Sequence, residues 1–85
     1  SRARTLVEVV ARALAELPAE VRVSETTCRD SELIELFTAP SDLGRMIGRR
    51  GRTAAAFRTL ASVAAEKEGS NVTVEFRDGS PDDGR

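Results

Sequence analysis

The residues best suited to chemistry lie in one short stretch, GRMIGRRGRTAAAFR, at positions 44–58. Here Gly48 and Gly51 enclose Arg49 and Arg50. Glycine tolerates positive φ and lets another backbone approach closely, because it carries no Cβ. Guanidinium groups bind phosphate through charge-assisted hydrogen bonds. The stretch therefore predicts a loop that contacts phosphate.

Further basic residues surround this loop. A helix is predicted to begin directly after the second glycine, and its first N–H groups and its dipole favour an anion at that end. Arg52 starts this helix, Arg58 lies about two turns further on, and Arg45 precedes the loop. Asp42 is the only acidic residue between positions 40 and 58. Several arginines spread over a loop and two helix ends suit a row of phosphates, as in a nucleic-acid strand.

The glycine spacing alone leaves two interpretations open. Glycine pairs are common in turns between helices and arginines are common on solvated surfaces, so the pattern also describes a turn without a ligand. The placement favours phosphate binding, because the loop joins two predicted helices, follows the apolar pair Met46-Ile47 and lies after a predicted strand.

The composition limits the classes to which the chain can belong. Its 85 residues allow one domain, and its net charge of -1 gives no global sign of a polyanionic partner. Cys28 is the only cysteine and histidine is absent, so we expect no internal disulfide, no metal site and no nucleophile–histidine catalysis. The sequence predicts a protein that is not an enzyme and that uses no cofactor.

The apolar runs give no sign of a membrane segment. None of them approaches the roughly 20 residues of a membrane span. No signal peptide is visible, and the single cysteine fits a reducing compartment. We therefore expect a cytoplasmic location and no membrane partner.

Apolar periodicity predicts the first half of the fold. Residues 3–17 show helical spacing, and Pro18 stops the helix. Residues 20–28 and 32–39 alternate as strands, and the turn between them indicates an antiparallel hairpin. The buried face of the helix is predicted to consist of Leu6, Val9, Val10, Ala13, Leu14 and Leu17.

The second half is predicted to contain a short helix over 42–47, a longer helix over 52–68 and a last strand over 71–76. The second and third strands can pair in parallel, because the helices between them form a crossover. The order α-β-β-α-α-β predicts an α+β fold, a three-stranded mixed sheet covered on one face by three helices. The apolar stripe of the long helix is predicted to consist of Ala54, Phe57, Ala61, Ala64 and Ala65, widened by Leu60 and Val63.

The chain is expected to divide into one domain and a tail. The domain should span residues 1–77, and residues 78–85 should form a flexible acidic tail. Within the domain, Met46 and Phe57 are predicted to lie in the core. Tyrosine and tryptophan are absent, which removes the usual aromatic platform on which nucleic-acid bases stack.

The segment IGRRGRTAAAFRTL, residues 47–60, resembles the signature of KH domains, Ile-Gly-x-x-Gly followed by a helix. The predicted order of elements resembles the type II, prokaryotic KH topology. Residues 38–69 are similar to the small single-domain bacterial KH proteins of the KhpA family. Phe57 stands where that family more often has an aliphatic residue.

This resemblance implies a non-catalytic module that binds single-stranded RNA, as an RNA chaperone or regulator. The loop Gly48–Gly51 would meet the sugar-phosphate backbone, and Gly44 and Ile47 would line a groove for bases, with the other three arginines close by. The family is expected to self-associate and to work with a second KH protein, KhpB. An alternative stays open: a dimerisation or protein-interaction module that binds RNA only weakly.

Overall fold

The computed structural model describes residues 1–81 and contains one mixed sheet, whose central strand is the second. Strands β1 (Arg22–Cys28) and β2 (Ser31–Thr38) are antiparallel, with Cys28 opposite Ser31. Strand β3 (Asn71–Asp78) runs parallel to β2, from the pair Ser31 and Asn71 to the pair Thr38 and Asp78. In chain order the elements are α1 (Arg2–Leu14), β1 (Arg22–Cys28), β2 (Ser31–Thr38), α2 (Pro40–Ile47), α3 (Arg52–Glu66) and β3 (Asn71–Asp78).

The core lies between the helices and one face of this sheet. Ile34 and Leu36 of β2 and Val74 of β3 point to the helical side and are almost completely buried, because strand residues alternate between the two faces. Phe57 of α3 is 2% exposed, and Met46 of α2 is fully buried. The predicted fold class, the hairpin and the core positions of Met46 and Phe57 are therefore confirmed.

Helix α1 ends three residues earlier than predicted, and its end has a specific cause. Ala15 adopts an extended conformation, with φ of -71° and ψ of 142°. The N–H groups of Glu16 and Leu17 donate to the carboxylate of Asp42, both at 3.0 Å, instead of continuing the helical ladder. A short 3-10 turn, Pro18–Glu20, then leads into β1. A side chain from another element therefore decides where the helix stops.

The predicted buried face of α1 was wrong in most of its residues. The residues that meet the core are Ala3, Val7 and Ala11, all fully buried. Val9 is instead 63% exposed, because it lies on the outer side of the helix. Leu60 and Val63 were predicted to extend the buried apolar face of α3, and this is also wrong, since they are 46% and 55% exposed. The close packing of α1 and α3 accommodates alanine and valine, so larger apolar side chains lie outside the contact.

The end of the chain is described as far as Pro81. Strand β3 continues through Asp78, and the N–H of Gly79 donates to the carbonyl of Thr38 at 2.9 Å. The remainder of the predicted flexible tail, residues 82–85, lies outside the described residues. Within residues 1–81, none of the helices has the length and apolar character that crossing a membrane requires.

Candidate nucleic-acid interface

The loop between α2 and α3 has a left-handed backbone at three of its four residues. Gly48 has φ of 77° and ψ of 170°, Arg50 has φ of 56°, and Gly51 has φ of 71°. The N–H of Gly51 donates to the carbonyl of Gly48 at 3.1 Å, which closes the turn. A left-handed conformation costs a residue with a side chain roughly 1–2 kcal/mol. Arg50 therefore sits in a strained position, as residues at functional sites often do.

Gly48 is required by close packing as well as by its backbone angles. A Cβ at this position would lie 2.3 Å from Oγ1 of Thr53 and 2.9 Å from the Thr53 backbone nitrogen. No real Cβ tolerates such contacts. At Gly51, by contrast, an added Cβ would meet no atom within 4 Å. Close packing against α3 therefore requires glycine at Gly48, whereas at Gly51 only the positive φ favours glycine.

Helix α3 begins at this loop with its N-terminus open. Gly51 occupies the capping position, so no side chain caps the helix, and the first turn contains no acidic residue. The first N–H groups of a helix have no partner within the helix, and the helix dipole places partial positive charge there. This end of α3 can therefore accept an anion.

The arginines at the loop form a cluster whose side chains lack partners. The side chains of Arg49, Arg50 and Arg52 are exposed, and within residues 1–81 they form no hydrogen bond or ion pair. Arg29, in the turn between β1 and β2, also lacks a side-chain partner within these residues, but it is a single basic residue followed by Asp30. Five other arginines pair with carboxylates, namely Arg2, Arg4, Arg12, Arg45 and Arg77. Positive charge is thus compensated over much of the surface and clustered without compensation at the loop.

Arg45 was predicted to join the basic cluster, but the structure turns it toward acidic groups. Its Nε lies 3.4 Å from Oδ1 of Asp42 and its Nη2 lies 3.7 Å from Oε1 of Glu16. Asp42 is completely buried. Hydrogen bonds from the N–H groups of Glu16 and Leu17 lower the pKa of Asp42, and Arg45 lowers it further. The charge of Arg45 is therefore largely compensated inside the protein.

A groove lies beside the loop, along the free edge of β3. Two adjoining cavities of about 410 and 340 Å³ share Phe76 and Arg77 in their walls. Leu43 of α2 lines one cavity, and Ile47 and Arg58 line the other. We call this surface, formed by Leu43, Ile47, Arg58, Phe76 and Arg77, the edge groove. Of the two residues predicted to line a groove, Ile47 lies in it and Gly44 is exposed on α2. Arg58, predicted to lie close by, also lines it.

Three residues of the edge groove were missed by the sequence reasoning: Leu43, Phe76 and Arg77. Leu43 could have been found because it lies one helical turn before Ile47. Phe76 places an aromatic ring in the groove, although tyrosine and tryptophan are absent from the chain. It is half-buried and packs edge-on against Phe57 at a centroid distance of 5.5 Å. Nothing in the sequence pattern distinguishes Phe76 from an ordinary core residue at the end of a strand.

Arg77 borders the edge groove but is held by carboxylates on the outer face of the sheet. Its Nε donates to Glu35 at 2.8 Å, and its Nη2 donates to Glu75 at 2.8 Å. The hydrogen bond to Glu35 is the main cause of a raised pKa for Arg77, so its charge is permanent. Like Arg45, it is a compensated arginine at the margin of the site.

Three helices on one face of a mixed three-stranded sheet, with a G-x-x-G loop between the second and third helices, define a KH domain of type II topology. The protein-family model described as the KhpA/KhpB KH domain matches residues 4–76 of the sequence. The chain belongs to this family.

Individual relatives are similar over most of their length. The RNA-binding protein KhpA of Clostridium acetobutylicum is 46% identical over 73 residues, which are 86% of this chain and 97% of that protein. The RNA-binding protein KhpA of Caldanaerobacter subterraneus subsp. tengcongensis is 47% identical over 71 residues, 84% of this chain and 95% of that protein.

Among solved structures, the fold is similar to part of Era. The crystal structure of Era in complex with MgGDPNP and nucleotides 1506–1542 of 16S ribosomal RNA aligns with a TM-score of 0.67 at 20% identity. The alignment covers 94% of this chain and 31% of the Era chain. At this identity the similarity concerns the fold alone.

Proposed function

We propose that this chain binds single-stranded RNA at the loop Gly48–Gly51 and along the edge groove, without catalysis. The observation that carries the proposal is the group of unpartnered arginines, Arg49, Arg50 and Arg52, around a left-handed loop at the open end of α3. Spread charges of this kind suit consecutive phosphates better than a single anion. Two relatives that cover most of the chain carry the name RNA-binding protein KhpA, which supports the same ligand.

The edge groove gives the bases a place beside the backbone contacts. Bases of single-stranded RNA stack on aromatic and apolar surfaces. Ile47 and Phe76 offer such a surface next to the loop. We place this activity in the cytoplasm, where the protein would hold or remodel RNA as a chaperone or regulator and leave its covalent structure unchanged.

The test is a charge reversal at the loop. We expect the double variant Arg49→Asp, Arg50→Asp to lose binding to a fluorescent single-stranded RNA in anisotropy titrations, while its melting temperature stays within about 5 °C, because exposed substitutions usually change stability little. The matched control is Arg29→Asp, Lys67→Asp, which changes net charge equally. Both residues are exposed, and Arg29 already has φ of 58°, a conformation that Asp tolerates.

The two double variants separate a local site from general attraction between charges. Equal losses in both would contradict a site at the loop. Unchanged RNA affinity in the folded loop variant would contradict it as well. Failure of the unaltered chain to bind RNA at low salt would favour the alternative, a protein-interaction module with weak or no RNA binding.

We also propose that the outer surface of α1 and α3 contacts a second copy of this chain. Val9 and Val63 are 63% and 55% exposed, and Leu60 is 46% exposed. The exposed Ala13 and Ala56 lie on the same outer side and let another helix approach closely. A chain of this size buries a modest core, so a homodimer would add apolar burial.

Light scattering across a concentration series tests this second proposal. We expect a dimer for the unaltered chain and a monomer for Val9→Asp, Val63→Asp, with little change in thermal stability, because both side chains are already more than half exposed. A monomer at every concentration would contradict self-association. A different KH chain, such as a KhpB-like protein, would then be the remaining candidate for this surface.

A further inference from the structure

Arg58 differs from the loop arginines because its guanidinium is held in place at the wall of the edge groove, by a backbone carbonyl and an aromatic ring. Its Nε and Nη2 both donate to the carbonyl oxygen of Val74, at 3.3 and 3.2 Å. Its Cζ lies 5.1 Å from the ring centroid of Phe76, within the range of a cation–π contact. The side chains of Arg49, Arg50 and Arg52, by contrast, have no partner within residues 1–81.

These contacts use only one side of the guanidinium. The Nε–H and one N–H of Nη2 form the edge that faces Val74. The terminal edge, made by Nη1 and the second N–H of Nη2, has two parallel donors. Within residues 1–81 these donors have no partner. Arg58 therefore presents a fixed pair of donors at the wall of a groove that is open to a ligand.

Such a pair of donors distinguishes between nucleic-acid bases. Arginine binds two adjacent acceptors on one base, as it does with O6 and N7 of guanine. Cytosine also offers two adjacent acceptors, N3 and O2. Adenine alternates donors and acceptors along its Watson–Crick and Hoogsteen edges, and uracil does so along its Watson–Crick edge, so one donor of the pair would face another donor. The Hoogsteen edge of uracil offers a single acceptor, O4, so one donor of the pair would have no acceptor there. A fixed guanidinium makes this mismatch costly, because it cannot turn away without leaving Val74.

We propose that Arg58 reads one base of the bound strand and makes the edge groove prefer guanine or cytosine over adenine or uracil. This inference rests on the proposed RNA binding at the loop. Arg58 lies about 10 Å along α3 from the loop, so a strand that contacts Arg49 and Arg50 can reach it. The unpartnered arginines then supply affinity without base preference, and Arg58 supplies the preference.

The test measures affinity and base preference separately. Fluorescent RNA dodecamers of cytidine, uridine, adenosine and alternating uridine–guanosine would be titrated in lithium buffer, which suppresses structures formed by guanosine. We expect the cytidine and guanosine-containing strands to bind about tenfold more tightly than the other two. The variant Arg58→Lys keeps the charge and removes the paired donors, so its affinities for the four strands should become nearly equal. Arg52→Lys, the matched control, should retain the preference.

A second measurement stays informative if Arg58→Lys does not fold. The Arg58 Nε–H resonance of the unaltered chain should shift on addition of the cytidine strand and much less with a saturating uridine strand. Equal affinities for all four strands, or a preference for adenosine or uridine, would contradict the role of Arg58 and leave RNA binding intact. A preference that survives in folded Arg58→Lys would also contradict it. If none of the strands binds, the proposed function itself is wrong.

Discussion

The two ends of α3 both carry charge, yet only one resembles a ligand site. At the N-terminal end, the side chains of Arg49, Arg50 and Arg52 have no partner within the described chain. About 22 Å away, at the C-terminal end, Glu68 accepts the backbone N–H of Arg2 at 3.1 Å and pairs with its side chain. Lys67 there lies between two glutamates in the sequence.

The helix dipole increases this difference. It adds partial positive charge where the arginines are unpartnered and partial negative charge where the glutamates cluster. A phosphate is therefore attracted to one end and repelled from the other, although the chain as a whole carries a net charge of -1. If the loop binds RNA as proposed, the clustering of side chains without partners, more than the number of charges, determines where the strand binds.

The largest effect is expected from a substitution that disturbs the loop at the N-terminal end of α3. We expect Gly48→Ala to reduce RNA affinity by at least about tenfold and to destabilise the fold by about 1–3 kcal/mol, because its Cβ would lie 2.3 Å from Oγ1 of Thr53. Anisotropy titration and thermal melting would measure the two effects.

Gly44→Ala is the matched control for this glycine. Its Cβ would meet no atom within 4 Å, and alanine is favoured over glycine in a helix by about 0.5–1 kcal/mol. Its stability should therefore stay equal or rise. Normal RNA binding by Gly48→Ala would show that the loop does not need the close approach of Thr53.

Much of this fold could be predicted because the apolar periodicity of the strands and of α3 agreed with the faces that these segments bury in the structure. Alternation in β1 and β2 and the small apolar stripe of α3 predicted the correct order of elements. Helix α3 was predicted to end at residue 68 and ends at Glu66; just beyond it, Gly69 has φ of 70° and donates to the carbonyl of Glu66 at 3.1 Å. The loop itself was located correctly, because two closely spaced glycines interrupt the helical pattern between α2 and α3; its role in binding stays a prediction.

The remaining features depend on contacts that sequence periodicity does not contain. The carboxylate of Asp42 ends α1 by accepting the N–H groups of Glu16 and Leu17, which lie 26 and 25 residues earlier in the chain. Hydrophobicity favoured Val9 over Ala11 as a core residue, whereas the close approach of α1 to its neighbours favoured the smaller side chain. Arg45 and Arg58 have the same chemistry as the loop arginines, and only their neighbours distinguish them.

The next largest effect concerns Asp42, the carboxylate that compensates Arg45. We expect Asp42→Asn to lower the melting temperature at neutral pH by on the order of 10 °C, because the amide provides one acceptor oxygen where the carboxylate provides two. RNA affinity should not fall, since the change releases Arg45. Melting curves and titrations on the same variant would check both expectations.

The pH dependence of stability tests the same role of Asp42. Hydrogen bonds lower the pKa of Asp42 in the folded state. Its stabilising contribution is therefore complete above the unfolded pKa of about 3.9 and is lost as the pH falls through the lower folded value. The unaltered chain should lose more stability than Asp42→Asn between about pH 5 and pH 2. Parallel losses would show that Asp42 is not the group that titrates.

The smallest effect distinguishes a compensated arginine from an unpartnered one. Removing one phosphate contact should reduce the dependence of log affinity on log salt concentration by about 0.7 for a single strand. We expect this change for Arg50→Gln. Arg45→Gln should leave the slope nearly unchanged, because Asp42 and Glu16 already compensate that charge. Titrations at several salt concentrations would measure both slopes. Equal changes would mean that RNA draws Arg45 away from its partners, and the difference between paired and unpartnered arginines would then not determine where the strand binds.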